Sequence, residues 1–188
     1  MEKKYILTEE TKEVGGHILH KIQAVRDFGG VQKGDLGGWI ESEENLSRDG
    51  TCWVYGNGRV SGNGRVYGNG EVFDNGRVFG NGEVFGNGEV YGNGRVFGNG
   101  WVYGSARIGV NGYISSPRSY FVQGPIGSRD DFLTCYLDKD KKIYAVTGCF
   151  CGSIEVFVKK VKAVYGMNRW AKQYLKAAEM ARVMLSGD

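Results

Sequence analysis

Proline is nearly absent: two residues against 32 glycines in a chain of 188. That ratio excludes collagen and the ordinary Pro/Gly-rich disordered tract. Histidine is as scarce, with only His17 and His20. No apolar run approaches the length of a membrane span, and the opening MEKKYILTEE holds no apolar signal core. The expected setting is therefore the cytosol, with no membrane partner. A net charge of +3 is too small to imply nucleic acid by itself. The four cysteines, Cys52, Cys135, Cys149 and Cys151, lack zinc-type spacing, so no metal is expected. They read as reduced thiols, with Cys149 and Cys151 packed in a core. Aromatic residues are not scarce; at 13% they argue against disorder.

What fills the chain instead is one phrase. From VYGNGRVSGNGRVYGNG onward, a β-branched residue returns at every sixth position: Val54, Val60, Val66, Val72, Val78, Val84, Val90, Val96, Val102, Ile108 and Ile114. A strict period of six is the signature of a parallel β-helix, in which three hexapeptides close one triangular coil. Each Val then points inward from a flat face, and the Asn-Gly pairs fall at corners, where positive φ is needed. Stacked asparagines can exchange amide hydrogen bonds from coil to coil. A chain of Asn-Gly hairpins fails, because the segments between successive pairs are too short to pair as strands. The expected class is mainly β. A β-rich cap covers 1–49, the hexapeptide β-helix covers 50–117, and an α+β module of order ββαα covers 118–188.

Residues three repeats apart stack, which sorts the outer surface into columns. One face carries Trp53, Glu71, Glu89 and Arg107 beside Tyr55, Phe73 and Tyr91. The next carries Arg59, Arg77 and Arg95 beside Ser61, Phe79 and Phe97. The third carries Arg65, Glu83 and Trp101 beside Tyr67, Phe85 and Tyr103. Like charges stacked about 5 Å apart repel unless something neutralises them. A homotrimer would do so, with Glu71 and Glu89 of one chain facing Arg77 and Arg95 of the next and Phe73 and Tyr91 packed in the seam. A bound anion would do so as well: Arg59, Arg77 and Arg95 suit phosphate, and Phe79 and Phe97 suit a base.

The stretch GDLGGWIESEENLSRDGTCWVYGNGRV at 34–60 resembles a family of bacterial and prophage proteins labelled YdcK-like transferases, and the likeness runs over roughly residues 4–114. Its Gly-Gly-Trp-Ile and Asn-Leu-Ser elements are more specific than the repeat. The resemblance implies a left-handed β-helix and a phage or prophage origin, hence a host-cell cytosol. The last segment looks like a C-terminal module of phage-encoded members. Acyltransferases on this scaffold typically use a histidine base and a loop thrown out from a coil, yet residues 54–114 contain neither. His17 and His20 lie in the cap and read as surface or satisfied histidines.

In the C-terminal segment, Ser128 and Arg129 of IGSRDD can hold a phosphate or carboxylate. The plainer reading is a turn in which Arg129 pairs with Asp130 or Asp131. The two basic helices read as a solvated face, so nucleic acid is not the favoured partner. Together these readings lead to a non-catalytic trimeric scaffold that needs no cofactor. It would counteract host defence by capturing a nucleotide-like signal or blocking a host protein. A hexapeptide-type acyltransferase and a virion component are the alternatives.

Overall fold

The computed structural model describes residues 3–186. Strands β1 (Tyr5–Val14) and β2 (His17–Ala24) form an antiparallel hairpin. Gly15 and Gly16 turn it at φ 62° and 83°, the backbone that a two-residue hairpin loop demands. Strand β3 (Leu36–Ile40) pairs antiparallel with β2 and then parallel with the first repeats, Trp39 opposite Arg59 and Ile40 opposite Val60.

Winding thus begins ahead of the repeat. Ile40 and Leu46 already occupy inward positions, above Val60 and Val66. The motifs of this segment have physical reasons. A Cβ on Gly37 or Gly38 would lie 2.5 Å from Ile22 or 2.6 Å from Val54. The buried Asn45 amide donates to the carbonyls of Gly62 and Gly64, both at 2.9 Å, and joins the two winds.

The repeat forms two-residue strands. The first coil holds β4 (Trp53–Val54), β5 (Arg59–Val60) and β6 (Arg65–Val66). The second holds β7 (Glu71–Val72), β8 (Arg77–Val78) and β9 (Glu83–Val84). The third holds β10 (Glu89–Val90), β11 (Arg95–Val96) and β12 (Trp101–Val102). A partial coil adds β13 (Arg107–Ile108) and β14 (Tyr113–Ile114). Each strand pairs in parallel with the one three repeats on, as the period requires. Every repeat Val or Ile is buried, and together they form one continuous column of core. The Asn ladder forms too: Asn63 donates to Asn81 at 3.1 Å and Asn69 to Asn87 at 3.1 Å.

Three expectations are corrected here. Positive φ falls on the residue before the asparagine, a glycine such as Gly80 (φ 61°) in most repeats and Asp74 (φ 56°) in one; the asparagine itself takes it only at Asn111 (φ 63°). The glycine after the asparagine is needed for a different reason, namely that the next coil's backbone leaves no room for a Cβ. Trp53, read as an outer-face residue, is buried because the cap folds over it. Tyr5 and Phe28 meet its ring edge-on at 6.1 and 5.3 Å.

The C-terminal module has four strands where the sequence suggested two. They are β15 (Tyr120–Ile126), β16 (Asp131–Leu137), β17 (Ile143–Thr147) and β18 (Phe150–Ser153), an antiparallel meander. Gly127 (φ 80°) and Gly148 (φ 52°) supply the extra turns inside what read as single runs. Helices α1 (Ile154–Tyr165) and α2 (Arg169–Leu185) follow, capped by Ser153 and Asn168 and separated by Gly166 at φ 58°. One sheet face packs Leu133, Cys135 and Ala145 against the helices. The other sets Tyr136 and Val146 into the solenoid core and closes its last coil. There Tyr136 Oη donates to the Val110 carbonyl at 3.2 Å. Cys149 and Cys151 are exposed, not core, because they sit on the outer β17–β18 turn and edge strand. Among the described residues, no helix is long and apolar enough to cross a membrane.

Candidate anion-binding channel

The register stacks Arg59 on Arg77 and Arg77 on Arg95, with Trp39 above and Tyr113 below. Parallel strands lie about 4.8 Å apart, so the three guanidinium stems rise from one narrow strip. None of the three forms an ion pair among the described residues. Burial first, then Arg59 and Arg95, push the Arg77 pKa down. Among the described residues, the buried Arg59 Nε and Trp39 Nε1 find no hydrogen-bond partner. A buried donor left unmade is costly, so this strip carries unspent donors as well as unspent charge. Phe79 and Phe97 line it as an aromatic stack with centroids 5.3 Å apart.

The cap extends the strip. Lys12 and Lys21 sit over the Trp39 ring at 3.8 and 4.7 Å. Burial, then Arg59 and Lys21, bring Lys12 down from 10.5 to about 8. Between those two values the folded chain holds fewer protons than the unfolded one, so this group makes stability rise with pH across that window. An anion in the strip would restore the Lys12 charge, and affinity should fall as pH rises through about 8. Calorimetric titration of adenosine 5′-diphosphate, fully ionised between about pH 7.5 and 9.5, checks this. Lys12→Met should flatten the pH profile, and a flat profile in the unsubstituted chain would remove Lys12 from the site.

Two overhangs turn the strip into a channel. The tip of the β1–β2 hairpin, with Val14, His17 and Leu19, leans over Arg59, Arg77 and Phe79 and encloses about 530 Å³. At the other end the β16–β17 turn, with Asp138, Lys139 and Asp140, faces Arg77, Arg95 and Tyr113 across about 380 Å³. Arg77 lines both cavities, so they adjoin along the column. The acids of that turn do not neutralise the arginines. Asp138 accepts the N–H groups of Asp140 and Lys142, both at 2.8 Å, and Asp140 pairs with Lys139 at 3.6 Å.

His17, read from the sequence as a surface or satisfied histidine, lines the hairpin end of this channel. Its Nδ1 lies 2.9 Å from the Glu41 carboxylate, which also accepts the Gly62 N–H at 2.6 Å. These two hydrogen bonds, His17 first, hold the Glu41 pKa below its ordinary value. In a neutral imidazole that donates Nδ1–H to this carboxylate, Nε2 carries the lone pair, the arrangement of an oriented general base. His20 contacts only the Thr8 carbonyl, at 3.4 Å, and does not line the channel. No local motif announces His17; only the pairing of β2 to β3 and of β3 to β5 brings it over the arginines.

The other sequence candidates lie elsewhere. Glu71 and Glu89 stack as read, but Arg107 of the same chain binds Glu89 at 2.9 Å and Tyr55 donates to Glu71 at 3.3 Å. Burial and Glu89 still raise the Glu71 pKa. Phe73 and Tyr91 stack at 5.6 Å beside this column. Arginines from a second chain are therefore not needed to neutralise Glu89. Ser128 and Arg129 belong to a separate cavity in the C-terminal module. Among the described residues, no group of three or more His, Cys, Asp or Glu comes together as a metal cluster would.

No protein-family model matches the chain. Over 78 residues it is 35% identical to a protein of Escherichia coli (strain K12) named uncharacterized acetyltransferase YdcK. The match takes in 34% of this chain and 24% of that protein, so it spans about a quarter of the relative's length. Over those residues the chain is similar to that acetyltransferase, a likeness that fits the hexapeptide β-helix its repeat builds.

Proposed function

We propose that the chain is a hexapeptide-type acyltransferase. Its donor is an acyl thioester with a phosphorylated, nucleotide-like tail, and the tail lies along the arginine column. The observation that carries this reading is the His17–Glu41 pair at the wall of the same cavity as Arg59 and Arg77. Arginines suit the phosphates, and Phe79 and Phe97 offer rings for a base. His17 Nε2 takes the proton of an amine or hydroxyl acceptor as that group attacks the thioester carbonyl; the adduct then collapses with cleavage of the C–S bond, and the departing thiolate takes that proton and leaves as the free thiol. The sequence argued against an enzyme because the coils carry no histidine and throw out no loop. In this reading the cap hairpin supplies both the base and the wall.

A second reading is capture without chemistry: the chain holds a nucleotide-like anion and withdraws it from other proteins, as a counter-defence protein would. The unpaired arginines and the orphaned Arg59 Nε favour it, since they ask for an anion and not for a reaction. One experiment separates the two. Acetyl-CoA is incubated with a panel of amines and alcohols, and free CoA is measured by chromatography, alongside CoA binding by calorimetry. Acyl transfer that falls at least about 100-fold in His17→Ala, with CoA affinity kept, supports the enzyme. CoA binding without turnover supports capture, and no CoA binding overturns the donor assignment.

A further inference from the structure

The C-terminal module encloses its own cavity, about 370 Å³, between the β15–β16 turn, the β17–β18 turn and the two helices. That volume falls at the small end of ligand pockets, which run from about 300 to 1,000 Å³. Phe150, Phe157, Val161 and Tyr174 supply much of its apolar wall, and Arg129 and Lys160 are among its polar lining. The rings make a continuous surface: Phe150 to Phe157 at 5.4 Å, then Phe157 to Tyr174 at 5.6 Å and nearly perpendicular.

The turn that carries Arg129 is fastened to the helices. Gly127 N–H donates to Gln173 Oε1 at 2.9 Å, and Ser128 Oγ lies 3.1 Å from Tyr165 Oη. Asp131, the acid in the cavity wall, is committed to backbone; it accepts the N–H groups of Gly148 at 2.8 Å and Phe132 at 2.7 Å. Neither Arg129 nor Lys160 has an ion-pair partner among the described residues, so the expected pairing of Arg129 with Asp130 or Asp131 does not form. An apolar pocket with two unpaired cations on a fixed turn and a helix is complementary to one kind of molecule.

We propose that this cavity binds a small aromatic carboxylate, its ring against Phe157 and Tyr174 and its carboxylate shared by Arg129 and Lys160. Arginine presents a planar fork that matches a carboxylate, and lysine adds a point charge. The aromatic walls favour edge-to-face contact with a ring over a flexible chain. This site does not depend on how the arginine channel is used.

The test is calorimetric titration of the full chain with 2-naphthoate, using 2-naphthamide as the uncharged counterpart. One saturable site per chain is expected, with the amide at least about tenfold weaker. The double variant Arg129→Gln/Lys160→Gln should lose that preference for the acid while its thermal melt stays unchanged, both side chains being exposed. In parallel, saturating naphthoate should slow iodoacetamide labelling of Cys149, which lines the cavity, and leave the exposed Cys151, which does not, unaffected. Equal binding of acid and amide, binding without protection of Cys149, or no saturable binding would each overturn the proposal.

Discussion

Arg77→Glu should abolish binding of CoA or adenosine 5′-diphosphate and leave the protein as stable as before, or more so. Arg77 alone lines both cavities of the channel, and its neighbours above and below are arginines. Reversing its charge removes one cation from the middle of the strip and pairs the new carboxylate with Arg59 and Arg95. A ligand phosphate then meets an internal salt bridge where it met an open column. The affinity loss should be at least about 100-fold, or roughly 2.7 kcal/mol. In the unliganded chain the sign is opposite. The stacked guanidiniums repel, adding to burial in lowering the Arg77 pKa, so a glutamate relieves repulsion and the melting temperature should hold or rise. Arg77→Gln should fall between on both counts. Calorimetry and thermal melts on three proteins decide it. Weaker binding together with a lower melting temperature would mean that Arg77 is structural, and unchanged binding would remove the channel as the site.

The column itself was legible because it follows from arithmetic. A period of six with three repeats to a coil fixes which residues stack, and strand alternation fixes which point out. Arg59, Arg77 and Arg95 needed nothing else. The in-chain partner of Glu89 was legible for the same reason, since Arg107 is its stacked neighbour one coil on. What the sequence hid was long-range placement in segments with no repeat to fix their register. The β1–β2 hairpin could have folded away from the solenoid; pairing of Trp39 with Arg59 commits it to the arginine face and brings His17 with it. The same limit explains Trp53, whose outward position is set by the repeat and whose burial is set by Tyr5 and Phe28 of the cap. In the C-terminal module, Gly148 sits within the run AVTGCF, and a lone glycine there does not distinguish a strand irregularity from a turn.

Two glycines in one corner should respond very differently to an added side chain. Gly82→Ala should cost about 3 kcal/mol or more, whereas Gly80→Asn should cost about 1 kcal/mol or less. Gly80 sits at φ 61°, and a Cβ built there would come no closer than 3.3 Å to the next coil, at Gly98 N. Its penalty is one of backbone preference, which asparagine tolerates best, and Asp74 already takes the equivalent place at φ 56°. Gly82 has no positive φ to defend. Its Cβ would lie 2.6 Å from the Val96 carbonyl oxygen and 2.8 Å from its carbon. That oxygen accepts the Phe79 N–H at 3.0 Å, one of the bonds that hold coil to coil. Backbone cannot swing aside as a flexible side chain can, so the coils must part and stretch this bond. The Val78–Val96 contact in the core would loosen with it. For a chain of this size, 1 kcal/mol moves the melting temperature by about 2–4 °C, so the two variants should separate by at least about 4 °C. If they melt together, then φ and not close approach governs the corner. The glycine of each Asn-Gly pair would then be free to vary.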